Sequence, residues 1–155
     1  MSVTNDIERV LVSEEEISGR ISELANEISQ DYADADSLLF VSILRGAFIF
    51  TADLARSITV KNTVDFIALA SYQKSTSSGE VRLISDLRQS IEGRHVLIVE
   101  DIVDSGMTLE YMSNLLRERK TSVKSCVMVA KGKGLISMDL DLELIIWDLL
   151  SRMCG

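Results

Sequence analysis

Proline is absent from the 155 residues, where average usage of about 5% predicts roughly eight. That absence selects no function class and excludes none. Other scarcities say more. Cys126 and Cys154 are the only cysteines, too few for a disulfide framework and without metal-ligand spacing. Cys126 stands in an apolar run and reads as a small core residue. A single histidine, His95, removes most zinc and catalytic-triad chemistries. No apolar run approaches the length of a membrane span, and the opening MSVTNDIERV lacks the basic start and apolar core of a signal peptide. The expected location is therefore the cytoplasm, with no membrane partner. Basic charge is also in deficit: the formal net charge is −8, which argues against the basic stripe of a nucleic-acid-binding protein. Neither a Walker A segment nor a G-x-G-x-x-G turn occurs.

What is present is ordinary for a globular chain, with 46% hydrophobic and 26% charged residues, and the length suits one domain over 1–155. The most informative run is Val96-Leu97-Ile98-Val99-Glu100-Asp101-Ile102-Val103-Asp104-Ser105-Gly106-Met107-Thr108-Leu109. Four apolar residues predict a buried strand that ends at two adjacent carboxylates. A third carboxylate and a Ser-Gly-x-Thr turn follow, and Leu109, Met112, Leu115 and Leu116 then recur at helical spacing. Ligands of open α/β sheets lie at the carboxyl ends of strands, and the free N–H groups of a helix N-terminus attract phosphate. Ser105 and Thr108 add hydroxyl donors, and Gly106 admits a close approach of the backbone. Glu100 and Asp101 only accept, which suits the paired hydroxyls of a ribose or a magnesium ion bound to it. Together these features describe a site for a phosphorylated sugar.

A second unit has the same form. Residues 37–43 predict a strand buried on both faces, ending at Leu44-Arg45-Gly46, after which Ala47, Phe50, Leu54 and Ile58 give a helical stripe. The turn predicts a second anion site on the same sheet edge, with the planar guanidinium of Arg45 matched to phosphate oxygens. Before it, Ser13 and Glu16 form a capping box and Ile17, Ile21, Leu24 and Ile28 an amphipathic helix. Residues 64–70 and 80–85 predict further strands, joined by the polar stretch 71–79, a connection long enough to be a lid or binding loop. Residues 123–130 predict another buried strand, ending at Lys131-Gly132-Lys133-Gly134, and 142–147 a last one. His95 falls at the strand end away from the predicted site, and Asp139-Leu140-Asp141 lacks the buried strand that an acidic nucleophile pair needs. The fold class expected is α/β, a mainly parallel central sheet flanked by helices.

The run from Glu100 to Thr108 resembles the phosphoribosyl-pyrophosphate motif of type I phosphoribosyltransferases, most closely the hypoxanthine-guanine branch, and the resemblance covers most of residues 5–148. It implies transfer of a phosphoribosyl group from phosphoribosyl pyrophosphate to a 6-oxopurine, with Mg2+ as cofactor and Glu100 and Asp101 as its ligands. Asp104 is then the catalytic base, and Ser105, Gly106, Met107 and Thr108 hold the 5′-phosphate. Leu44, Arg45 and Gly46 hold pyrophosphate, with a cis peptide before the basic residue. Ser71 and Tyr72 open the loop that closes over the reaction, although Gln73 stands where the family usually has glycine. Lys131 meets the exocyclic oxygen of the purine, with Lys133 as competitor for the role. The resemblance further implies a homo-oligomer, a dimer or tetramer. The segment that closes over the purine in the family has no clear counterpart here, and Trp147 reads as a stacking residue or as core. Two other functions fit the same motifs: a non-catalytic phosphoribosyl-pyrophosphate-binding regulator, and transfer to another base such as xanthine.

Overall fold

The computed structural model describes residue 10 and residues 12–74, 77–130 and 144–148. Among these residues six strands form one sheet: β1 (Leu38–Leu44), β2 (Asn62–Lys74), β3 (Ser77–Ser85), β4 (His95–Val103), β5 (Ser122–Ala130) and β6 (Leu144–Asp148), in the order β3-β2-β1-β4-β5-β6. All neighbours are parallel except β2 and β3. The mainly parallel α/β class read from the sequence is the class observed.

Among the described residues three helices cover the sheet: α1 (Glu14–Asp31), α2 (Phe48–Ser57) and α3 (Met107–Arg117). Successive side chains of a strand point to opposite faces, and β1 divides accordingly. Leu38 and Phe40 pack with Leu24, Ile28, Phe50 and Leu54 of α1 and α2. Leu39, Val41 and Ile43 pack with Leu109, Met112 and Leu116 of α3. Cys126 is buried in the first of these layers, as its apolar surroundings implied. The predicted capping box forms, with the Ser13 N–H donating to Glu16 Oε2 at 2.9 Å and the Glu16 N–H to Ser13 Oγ at 3.2 Å. The helical stripe of Ala47, Phe50, Leu54 and Ile58 is buried throughout.

Two expectations are corrected. The polar stretch 71–79 is not a long connection: β2 continues to Lys74, β3 starts at Ser77, and the two pair antiparallel as far as Lys74 and Ser77. Polar composition mimics a loop, yet the hairpin ladder satisfies the main chain whatever the side chains are, and register shifts near Leu69 and Tyr72 absorb the mismatch. The acidic-motif strand also does not stop at its carboxylates. Pairing of β4 with β1 ends at Val99, but pairing with β5 carries it on to Val103. The last predicted strand is present as Leu144–Asp148, and residues 142 and 143 lie outside the described residues.

Candidate active site

β1 connects through α2 to β2 on one side, and β4 connects through α3 to β5 on the other. Between β1 and β4 the strand order reverses, and a crevice opens at the carboxyl ends of such a pair. Leu44 ends β1 there and leads into Arg45 and Gly46, while Glu100 to Val103 end β4 and lead into Asp104 to Thr108. Side by side at that edge are Ile43, Leu44, Gly46, Glu100, Asp101 and Thr108, lining a cleft of about 220 Å³ with Leu69 and Ala70 of β2 and Val81 of β3.

The peptide between Leu44 and Arg45 is cis, as the resemblance implied. Gly46 then passes so near the acidic pair that a Cβ there would lie 2.7 Å from Asp101 Oδ2. Any side chain at this position would collide with the carboxylate, so the glycine sets how closely the two turns approach. On the β4 side, Gly106 has φ +78°, a left-handed conformation that favours glycine, and it introduces α3. Neither α2 nor α3 has a side-chain cap. The first backbone donor within α3 is the Glu110 N–H, bonded to the Gly106 carbonyl at 2.9 Å, so the N–H groups of Met107, Thr108 and Leu109 precede the helical ladder. Two helix N-termini without caps thus face the sheet edge that carries the carboxylates.

Glu100 is partly buried, and its carboxyl is pushed up to about 8, first by burial and then by its neighbour Asp101. Asp101 itself accepts from the Ile102 N–H at 2.8 Å, and its own N–H donates to Glu100 Oε1 at 3.2 Å. Two adjacent carboxylates that retain a proton near neutrality lack a counter-charge, and a divalent cation can supply it. Among the described residues no cluster of three or more His, Cys, Asp or Glu could hold a metal. A two-carboxylate site completed by substrate oxygens and water is what Mg2+ ordinarily uses, so the pair fits that ion.

Asp104 and Ser105 are exposed in the bend between β4 and α3, and Thr108 is half-buried at the cleft. Ser71 and Tyr72 continue β2 immediately beyond Ala70 of the cleft wall, paired with Val81 and Glu80. Lys131 and Lys133, with Asp139 and Asp141, lie outside the described residues; Lys131 directly follows the last residue of β5. His95 starts β4 at the opposite edge, its ring edge-on to Tyr32 and its Nδ1 3.0 Å from Ser122 Oγ. The apolar walls Leu69, Ala70 and Val81 were not foreseen, because nothing distinguishes them from other strand residues.

A larger cleft of about 350 Å³ lies elsewhere, lined by Leu39, Thr63, Asp65, Arg88 and Arg94 among others. Two of its charged groups serve the fold: Asp65 accepts from the backbone N–H of Arg88 at 3.0 Å and Arg94 donates to Thr63 at 2.9 Å. Chemistry therefore favours the smaller cleft.

The phosphoribosyl transferase domain family matches residues 11–143. Hypoxanthine-guanine phosphoribosyltransferase of Dictyostelium discoideum is 47% identical over 131 residues, spanning 81% of this chain and 73% of its own. Its Bacillus subtilis namesake is 46% identical over 132 residues, spanning 84% and 73%. The structure of hypoxanthine phosphoribosyltransferase from Trypanosoma cruzi in complex with the product IMP superimposes with a TM-score of 0.80 at 40% identity, covering 91% of this chain and 80% of that one.

Proposed function

The chain belongs to the phosphoribosyltransferase family, and from that premise we propose that it transfers the phosphoribosyl group of phosphoribosyl pyrophosphate to N9 of hypoxanthine or guanine, in purine salvage. The observation that carries this reading is the convergence of two uncapped helix N-termini on one acidic pair, at the point where the strand order reverses.

The chemistry follows from the residues. The bond from ribose C1 to pyrophosphate breaks as the bond from C1 to purine N9 forms, through a cationic sugar. Arg45 and the first amides of α2 receive the charge that develops on the departing pyrophosphate. Glu100 and Asp101 accept from the ribose hydroxyls, while Ser105, Gly106, Met107 and Thr108 hold the 5′-phosphate. Asp104 takes the proton from N7 of the base as N9 becomes bonded. Lys131 donates to the exocyclic oxygen and so selects a carbonyl over an amino group. Ser71 and Tyr72 border the cleft on the β2 side. Mg2+, held by Glu100 and Asp101, would supply positive charge to the sugar hydroxyls and pyrophosphate when bound. We place a second copy of the chain on the α2 side of the sheet, where Phe48, Ile49, Val64 and Phe66 are 39–59% exposed.

The test is turnover of phosphoribosyl pyrophosphate with a panel of bases. Nucleoside monophosphate from hypoxanthine or guanine is the expected product. Preference for xanthine would reassign the base, and binding of phosphoribosyl pyrophosphate without transfer to any base would make the chain a sensor.

A further inference from the structure

Two fully buried hydroxyls meet in the layer between the sheet and α1 and α2. Ser42 of β1 is 0% exposed and Thr51 of α2 is 1% exposed, among Phe40, Phe50, Leu54 and Val99. Thr51 Oγ1 lies 2.8 Å from Ser42 Oγ and 2.8 Å from the Ala47 carbonyl oxygen. A threonine hydroxyl has one proton, and a carbonyl can only accept. Thr51 therefore donates to Ala47, and Ser42 donates to Thr51. The chain of hydroxyls runs from the residue two before Leu44 to the residue that follows Gly46.

This chain brackets the turn that carries Arg45. The Ala47 N–H donates to the Ile43 carbonyl at 3.3 Å, and the Thr51 N–H also donates to the Ala47 carbonyl at 2.8 Å, so both peptide groups flanking the Ala47 Cα are held. Beside the turn is the Asp101 carboxylate, so close that a Cβ on Gly46 would have to push it aside. Desolvating two hydroxyls is costly, and an alanine–valine pair would fill much the same space without that cost. Hydroxyls add direction: an apolar contact lets α2 slide along β1, whereas a hydrogen-bonded pair permits one setting.

We propose, resting on the transfer reading above, that Ser42 and Thr51 are positioning residues that hold the Arg45 turn and the start of α2 against Glu100 and Asp101, and so set the affinity for the pyrophosphate end of phosphoribosyl pyrophosphate. They touch no substrate. They act through the turn.

The test compares thermal melting, calorimetric binding of pyrophosphate with magnesium, and steady-state kinetics. In Ser42→Ala/Thr51→Val neither hydroxyl is orphaned, so the variant is expected to melt at or above the wild-type temperature. It should nevertheless bind pyrophosphate roughly tenfold more weakly, the worth of about one hydrogen bond, with KM for the base unchanged. Thr51→Ser keeps the hydroxyl and should stay within about twofold of wild type. A folded double variant with wild-type pyrophosphate affinity overturns the positioning role, as does equal weakening of pyrophosphate and base. Should Thr51→Val alone fail to fold because Ser42 is left unpartnered, the double variant decides. A wild-type chain that binds pyrophosphate but transfers to no base overturns the transfer reading alone, and the affinity comparison still decides the role of Ser42 and Thr51.

Discussion

Asp104 is exposed in the bend between β4 and α3, directly before the turn of Ser105 to Thr108, and three duties are open to a carboxylate there. It can take the N7 proton, orient the turn, or ligate magnesium. Asp104→Asn keeps the shape and removes the basicity. If Asp104 is the base, kcat falls by about 10²–10⁴-fold while calorimetric affinity for phosphoribosyl pyrophosphate barely changes; either other duty would appear as lost affinity instead. Glu100 makes a second, independent prediction. Burial, reinforced by Asp101, raises its carboxyl from 4.5 to about 8 in the folded chain. Between those values the folded chain holds a proton that the unfolded chain has released, so stability is fully present below the unfolded value and is lost as pH rises through about 8. Glu100→Gln should therefore flatten the fall in melting temperature between about pH 5 and pH 8 measured without magnesium or substrate, and parallel curves for wild type and variant would remove the effect. Polar chemistry of this kind was legible in the sequence, because Glu100, Asp101, Gly106 and Arg45 are residue types that a sugar phosphate requires. The hydroxyl chain of Ser42 and Thr51 was not: nine residues separate them, and only the packing of α2 on β1 makes them partners.

At the scale of elements, the helices were the most legible parts. Ser13 and Glu16 mark the start of α1 by a reciprocal pair of hydrogen bonds that depends on local spacing alone. Ser13→Ala should cost about 1 kcal/mol in a denaturant titration. An unchanged midpoint would show that the first turn is held by its burial and not by its cap. The hairpin was illegible for the opposite reason. Whether Ser71 to Lys74 is strand depends on Ser77 to Ser85 lying alongside, and composition carries no record of that non-local pairing. The same holds for β4 beyond Glu100: its length is set by β5, through Glu100 opposite Val127 and Val103 opposite Ala130, and not by its own apolar run.

At the scale of the whole molecule, covering the sheet with helices leaves one side short. Val64 and Phe66 lie in register with Phe40 and Ser42, both of which face α1 and α2, so the pleat turns them toward that same side. There they are 39% and 41% exposed, and on the outer side of α2 Phe48 and Ile49 are 53% and 59% exposed. Large apolar side chains gathered on one face mark an interaction surface, and a self-complementary patch is the usual basis of a two-fold dimer. Phe48 and Ile49 follow directly on the Arg45 turn, so burying them against a second copy would also restrain that turn. Phe66 is the better residue to change, being on β2 and outside the cleft lining. Light scattering at micromolar concentration should find wild type as a dimer or larger, and Phe66→Glu shifted toward monomer, because a carboxylate opposed to its symmetry mate is both buried and repelled. The monomeric variant should keep its melting transition but bind phosphoribosyl pyrophosphate less tightly. A wild-type chain that stays monomeric at that concentration would remove the dimer, and the apolar face would then need a different occupant.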